Sequence, residues 1–126
     1  MDQLVQLLRA LAEPTRLRLL ACLKKRSACV CELSEALGLS QTQASRHLGV
    51  LKQAGLVQSE RSSQRVNYHY TPPEAGTPAA QLVEATGAWL EELPEVALDR
   101  QRCAEAQSKA CAGSTKAQDE NFSLKE

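Results

Sequence analysis

Two short amphipathic segments separated by a glycine turn constrain the fold of this chain more than any other feature. Apolar residues recur at helical spacing over residues 31–37, and Gly38 ends that segment. The next segment, residues 40–54, opens with Ser-Gln-Thr-Gln, the pattern in which a hydroxyl and an amide cap a helix reciprocally. Two helices joined by a three-residue turn that contains glycine predict a helix-turn-helix.

A β-hairpin is predicted directly after the second of these helices. Residues 56–61 and 65–70 read as strands around the turn Ser62-Ser63-Gln64. In the second strand Val66, Tyr68 and Tyr70 alternate with polar residues, the period of two expected of a half-buried strand. The fold class is therefore mainly α with a small β-hairpin, a winged helix-turn-helix.

Composition shifts along the chain indicate three parts. Residues 1–93 are predicted to form one winged helix-turn-helix domain for DNA binding and dimerisation, with leucine stripes in its first and last helices. Residues 94–111 are predicted to be a weakly helical C-terminal extension. Residues 112–126 are polar, and we expect them to be disordered.

The charge of the chain is partitioned although its net charge is zero. Residues 1–70 hold ten Lys or Arg and five acids, and residues 71–126 hold five and ten. A basic front half is suited to meet phosphate, so we expect double-stranded DNA as the partner. With no membrane-length apolar run and no basic leader at the N-terminus, the expected location is the cytoplasm, without a membrane partner.

The second helix of the helix-turn-helix carries the candidate DNA contacts. It contains Arg, His and Lys but no acid, and its N-terminal end is rich in side chains that pair with base edges. Two arginines flank the hairpin tip, where they can reach phosphate or the minor groove. The predicted DNA-binding residues are Gln41, Thr42, Gln43, Ser45, Arg46, His47, Arg61 and Arg65.

The pair Cys29-Val30-Cys31 is the second chemical feature. Thiolates are soft ligands that prefer thiophilic ions. Residues two apart point about 200° away from each other on a regular helix but share a face in extended chain. The pair can therefore hold one ion only if the start of the helix at 31–37 is distorted, and binding there would pull on the DNA-reading unit.

Three segments of residues 7–70 resemble the arsenic-repressor (ArsR/SmtB) family of winged-helix metalloregulators. They are Leu11–Leu17, Cys29–Leu33 and Ser40–Leu48 with its continuation to Val57. The resemblance implies a homodimeric repressor that leaves its operator when an inducer binds. It also implies pairing through the first and last helices, here Leu4, Leu7, Leu8, Leu11, Leu82, Trp89 and Leu93.

The resemblance implies trivalent arsenic or antimony as inducer, since similar proteins that sense arsenite carry C-V-C-[DE]-L at this place. No cofactor is expected for DNA binding itself. Arsenite-responsive members often have a third Cys three residues on, where this chain has Ser34. Cys103 is the favoured replacement as third metal ligand beside Cys29 and Cys31, with Cys111 as the other candidate.

Two other inducers stay open within the same fold. Cadmium or lead would also suit thiolates, although members that sense them usually add N-terminal cysteines, which residues 1–21 lack. A redox or sulfur sensor would need Cys29 or Cys31 to bridge to Cys103, because the C-x-C spacing is tight for a disulfide. A thiol oxidoreductase is disfavoured without C-x-x-C or a βαβ pattern, and we predict no enzyme activity.

Overall fold

The computed structural model describes residues 1–63 and 65–109 of the chain. Cys111 and the predicted tail lie outside these described residues. The elements follow in the order α1 (Asp2–Leu11), α2 (Pro14–Lys25), β1 (Ala28–Cys29), α3 (Val30–Leu37), α4 (Gln41–Gln53), β2 (Val57–Ser62), β3 (Arg65–Tyr70), α5 (Pro78–Leu90) and α6 (Pro94–Lys109).

The helix-turn-helix is formed by α3 and α4, as predicted. α3 ends at Gly38, whose φ of 70° lies in the left-handed region that favours glycine. The hydroxyl of Ser40 accepts a hydrogen bond from the backbone N–H of Gln43 at 3.0 Å. The side-chain oxygen of Gln43 in turn accepts from the backbone N–H of Ser40 at 3.1 Å. The capping box is thus confirmed, and it fixes where α4 begins.

The wing is an antiparallel hairpin of β2 and β3, in register from Val57 opposite Tyr70 to Ser62 opposite Arg65. A third strand, β1, pairs with the other side of β3, giving the order β1-β3-β2. The sequence predicted only the hairpin, because a two-residue strand has no periodicity of its own. β1 ends at Cys29 and ties that residue to the wing.

Helix α6 packs against α2 and α3. Its buried residues are Val96, Asp99, Cys103 and Ala106. Asp99 accepts two hydrogen bonds from the guanidinium of Arg18 on α2, at 2.8 and 2.9 Å, and this ion pair raises the pKa of Arg18. The extension therefore forms a 16-residue helix that is held to the body of the chain.

The main core lies between α2, α3, α4 and the sheet, with Leu19, Leu20, Leu33, Leu48, Leu51 and Leu56 almost completely inaccessible to solvent. Across the described part of the chain, every helix is too short or too polar to cross a lipid bilayer.

Candidate thiol site and nucleic-acid interface

Cys29 and Cys31 lie together at the start of α3. Cys29 is the N-cap residue, with extended dihedrals of φ −91° and ψ 167°, and Cys31 lies in the first turn. This is the distortion that the C-x-C spacing requires, because the extended residue turns its side chain toward that of its neighbour two positions on. The two thiols are hydrogen-bonded, and this bond, together with burial, raises the pKa of Cys29.

Glu32 holds the thiol pair in place and connects it to the wing. Its carboxylate accepts a hydrogen bond from the backbone N–H of Cys29 at 2.9 Å, which completes a capping box with a cysteine as N-cap. The other carboxylate oxygen lies 3.7 Å from a guanidinium nitrogen of Arg65 on β3. Sequence reasoning missed this role, although a glutamate three residues after an N-cap position is the pattern that signals it.

Gln41 connects the thiol pair to α4. Its side-chain amide donates a hydrogen bond to Sγ of Cys31 at 3.4 Å. Gln41 is the first residue of α4, so the sulfur touches the end of the helix that was predicted to read DNA. The neighbouring Ser34 is buried and donates its hydroxyl to the carbonyls of Val30 and Cys31 at 2.7 and 3.1 Å.

Cys103 on α6 lies against Cys22 on α2. Their thiols are hydrogen-bonded, which raises the pKa of Cys22 and lowers that of Cys103. Cys103 is also near enough to Glu32 for that carboxylate to act on its pKa. Over residues 1–63 and 65–109, no three His, Cys, Asp or Glu side chains are grouped so as to hold a metal ion. Among the four cysteines of the described residues, the structure thus brings Cys29 to Cys31 and Cys22 to Cys103, but it does not assemble three thiols.

The N-terminal half of α4 forms a polar surface. Thr42, Gln43 and Arg46 are exposed, whereas Gln41 and Ser45 are partly buried. The oxygen of the Gln43 side chain is engaged in the capping box, so its amide nitrogen is the group that it can offer to a base edge.

The two wing arginines differ in their surroundings. Arg61 is exposed on β2, while Arg65 is partly buried beside Glu32. Arg61 can therefore contact a DNA phosphate without losing the contact with Glu32 that Arg65 makes.

A family model described as "Bacterial regulatory protein, arsR family" matches residues 13–59. The arsenical resistance operon repressor of Escherichia coli is 32% identical over 111 residues, which are 86% of this chain and 95% of that protein. This chain belongs to the ArsR family. The transcriptional repressor SmtB of Mycobacterium tuberculosis is 44% identical over 68 residues, 54% of this chain, and the match spans half the length of that relative.

A solved structure of the same class supports the fold of this ArsR-family chain. It is the homodimeric winged helix-turn-helix DNA-binding domain Mb0332 from Mycobacterium bovis, with a TM-score of 0.59 and 32% identity. The match covers 72% of this chain and 81% of that one. These relatives are named as regulators that bind DNA or repress transcription, not as enzymes.

The residues predicted for dimerisation divide into two sets in the ArsR-family fold. Leu7 and Leu11 are buried in the core of their own chain, and Leu82 and Leu93 are partly buried. Leu4 and Leu8 on α1 and Trp89 on α5 are exposed, Trp89 by 73%. An exposed tryptophan and two exposed leucines are the type of residue expected at an interface.

His47 lies on the side of α4 that faces α2. Its Nδ1 is 3.3 Å from a guanidinium nitrogen of Arg16 and 3.9 Å from a carboxylate oxygen of Glu13. Arg16 also donates to the carbonyls of Ala10 and Arg9, at 2.9 and 2.7 Å. His47 thus joins α4 to the junction of α1 and α2, while its contact with DNA stays a prediction.

Proposed function

We propose that this chain is a homodimeric transcriptional repressor that trivalent arsenic or antimony releases from operator DNA by binding the thiolates of Cys29 and Cys31. The observation that carries the proposal is the hydrogen bond from Gln41 to Sγ of Cys31. This contact supports the proposal because it joins Cys31, one of the two proposed ligands, to the helix that would enter the major groove. The named role of the Escherichia coli relative in arsenical resistance supports the same inducer.

DNA recognition is assigned to α4 and the wing. Gln41, Thr42, Gln43, Ser45 and Arg46 would read base edges from the N-terminal half of α4, and Arg61 would grip the backbone from β2. A dimer formed through Leu4, Leu8 and Trp89 would present two such units to successive major grooves. Operator half-sites about one helical turn apart are therefore expected.

Release follows from the two connections of the thiol pair. An ion bound by both sulfurs would displace their protons and would compete with the amide of Gln41 for the electron pairs of the Cys31 sulfur. Binding would also move the side chains of Cys29 and Cys31 to the positions that the ion requires. That movement would strain the capping box, in which Glu32 accepts a hydrogen bond from the backbone of Cys29. Because Glu32 also contacts Arg65, the change reaches both α4 and the wing. An inducer that favours the strained form over the DNA-bound form shifts the population away from DNA.

The third thiolate for a three-coordinate ion must be brought in. Cys103 is the proposed ligand, because it lies on the buried face of α6, and α6 packs on α3, the helix that carries Cys31. Its recruitment requires that the contact with Cys22 breaks, and this would couple the inducer to the position of α6. Cys111 is the other candidate, and either thiol could come from the partner subunit.

A footprint on the chain's own promoter tests the proposal. The full chain, kept reduced, is expected to protect a two-half-site segment and to lose protection with arsenite or antimonite but not with zinc. Loss of protection with cadmium or lead alone would replace the inducer, and loss only on oxidation would favour a redox sensor. The absence of any protected segment would overturn the repressor itself.

A further inference from the structure

A second thiol pair joins α2 to α6. Cys22 has no part in the site proposed above, yet its thiol is hydrogen-bonded to that of Cys103. The two residues are 1% and 2% exposed, so both sulfurs lie at the edge of the core between the two helices. Buried cysteines placed sulfur to sulfur offer two soft donors at one point.

The pair can be reached from outside. Both cysteines line an open cleft of about 360 Å³, together with Lys25, Arg26, Arg100 and Gln101. A bare ion is much smaller than this cleft and can approach the two cysteines that line it.

Within the described residues, no His, Asp, Glu or further Cys side chain joins the two sulfurs as a third ligand. The two carboxylates that act on the pKa of Cys103 belong to Asp99 and Glu32. Asp99 is held by two hydrogen bonds from Arg18, and Glu32 by the backbone of Cys29. No cluster of three metal-ligating side chains occurs in the parts of the chain that are described, residues 1–63 and 65–109. Two thiolates alone suit a soft ion that accepts linear coordination, and they do not suit ions that prefer oxygen ligands.

The charge of the cleft selects among soft ions. Arg100 is paired with Glu91 at 2.7 and 2.8 Å, whereas Arg26 donates to the neutral amide of Gln107. Arg26 and Lys25 therefore leave the cleft positive. Two thiolates around a monovalent cation carry a net charge of −1, which this lining offsets, while a divalent ion would give a neutral complex that gains nothing from it.

We propose that Cys22 and Cys103 form a linear dithiolate site for one monovalent soft cation, Cu(I). The ion enters as Cu(I), two thiols release two protons, and no electron is transferred. The site does not depend on the proposed DNA release, although it shares Cys103 with the proposed third ligand for arsenic. Should arsenic also recruit Cys103, the two ions would compete for that sulfur, so the test removes Cys29 and Cys31.

The test uses the full chain with Cys29→Ser, Cys31→Ser and Cys111→Ser, which leaves Cys22 and Cys103. Cu(I) is added without oxygen as its acetonitrile complex, against the chelator bathocuproine disulfonate. We expect one equivalent to be retained, and X-ray absorption on this protein to find two sulfur neighbours. Adding Cys103→Ala should abolish retention, with circular dichroism to confirm the fold. Arg26→Ala should weaken Cu(I) about two- to fivefold, while the distant Arg9→Ala should not.

Three results would overturn the proposal. One is full retention of Cu(I) after Cys103→Ala. Another is three or more metal neighbours in the X-ray absorption spectrum, which does not depend on whether a variant folds. The third is failure to hold Cu(I) against the chelator while an added oxidant still links Cys22 to Cys103. The last outcome would make the pair a disulfide site rather than a metal site.

Discussion

The side-chain amide of Gln41 donates a hydrogen bond to Sγ of Cys31 across 3.4 Å. This contact joins the first residue of α4 to the thiol pair with no intervening residue. Glu32 makes the corresponding connection to the wing through Arg65. The proposed inducer site is therefore adjacent to both α4 and the wing, the two elements that are proposed to bind DNA.

Cys29→Ser and Cys31→Ser should each leave operator affinity unchanged and abolish release by arsenite, because a hydroxyl keeps the local shape but is a poor ligand for a soft ion. Fluorescence anisotropy of labelled operator DNA measures both quantities in one titration. Ser34→Ala is the matched control, since it alters a neighbouring buried hydroxyl and leaves both thiols. Normal release by both cysteine variants would remove the site.

Gln41→Ala should reduce the effect of arsenite on DNA affinity, because it deletes the donor to Cys31. Coupling between two sites is typically about 1–3 kcal/mol, or about 5- to 150-fold in affinity. The measurement is the ratio of operator dissociation constants with and without arsenite. Thr42 is the next residue and is exposed, so Thr42→Ala should raise the operator dissociation constant by the same factor with and without arsenite. An unchanged ratio in Gln41→Ala would show that the contact does not transmit the signal.

Arg46→Ala should weaken operator binding by about 1–3 kcal/mol whether or not inducer is present, as expected for an exposed arginine that contacts a base. Binding isotherms on operator and on unrelated DNA separate a base contact, which affects the operator alone, from a phosphate contact, which affects both. Gln81→Ala on α5 is the control for an exposed residue away from the interface. Equal affinity of Arg46→Ala and the unmodified chain would exclude this residue from recognition.

Trp89→Glu should shift the chain toward monomer and lower its operator affinity, because a charge replaces an apolar side chain that is 73% exposed. Sedimentation velocity measured over a range of concentrations gives the association state. Glu92→Ala, three residues on and also exposed, should remain dimeric. A Trp89→Glu chain that sediments as the unmodified chain does would place the interface elsewhere.

Asp99→Asn should lower the free energy of unfolding by about 1.5–3 kcal/mol, because it weakens two charge-assisted hydrogen bonds at a residue that is 1% exposed. Urea unfolding followed by circular dichroism measures the loss. Glu91→Gln weakens the ion pair between half-exposed Glu91, at the end of α5, and Arg100 of α6, and should have little effect because exposed pairs contribute little to stability. Similar losses in the two variants would contradict the anchoring role of Asp99.

The parts of the fold that sequence predicted are those set by local pattern. The capping box at Ser40, the left-handed glycine at 38 and the alternation from Arg65 to Tyr70 each act within a few residues. The extended backbone at Cys29 also followed from local geometry, because one ion cannot reach two cysteines spaced as these are on a regular helix.

What sequence reasoning missed depends on distant partners. α6 looked weakly helical because its buried face contains Asp99, Cys103 and Ala106 rather than large apolar residues. The burial of Asp99 on that face is explained by the tertiary fold, which brings Arg18, 81 positions away, to its carboxylate. In the same way the contact between Cys22 and Cys103 depends on the packing of α6 against α2, which no local pattern indicates.

The most direct test of the central claim is fluorescence anisotropy of the reduced full chain on its own promoter DNA, titrated with arsenite and, separately, with zinc. The account predicts release of the DNA at micromolar arsenite and retained binding in zinc. Tight binding that is indifferent to arsenite would contradict the proposed inducer while leaving the winged-helix fold intact.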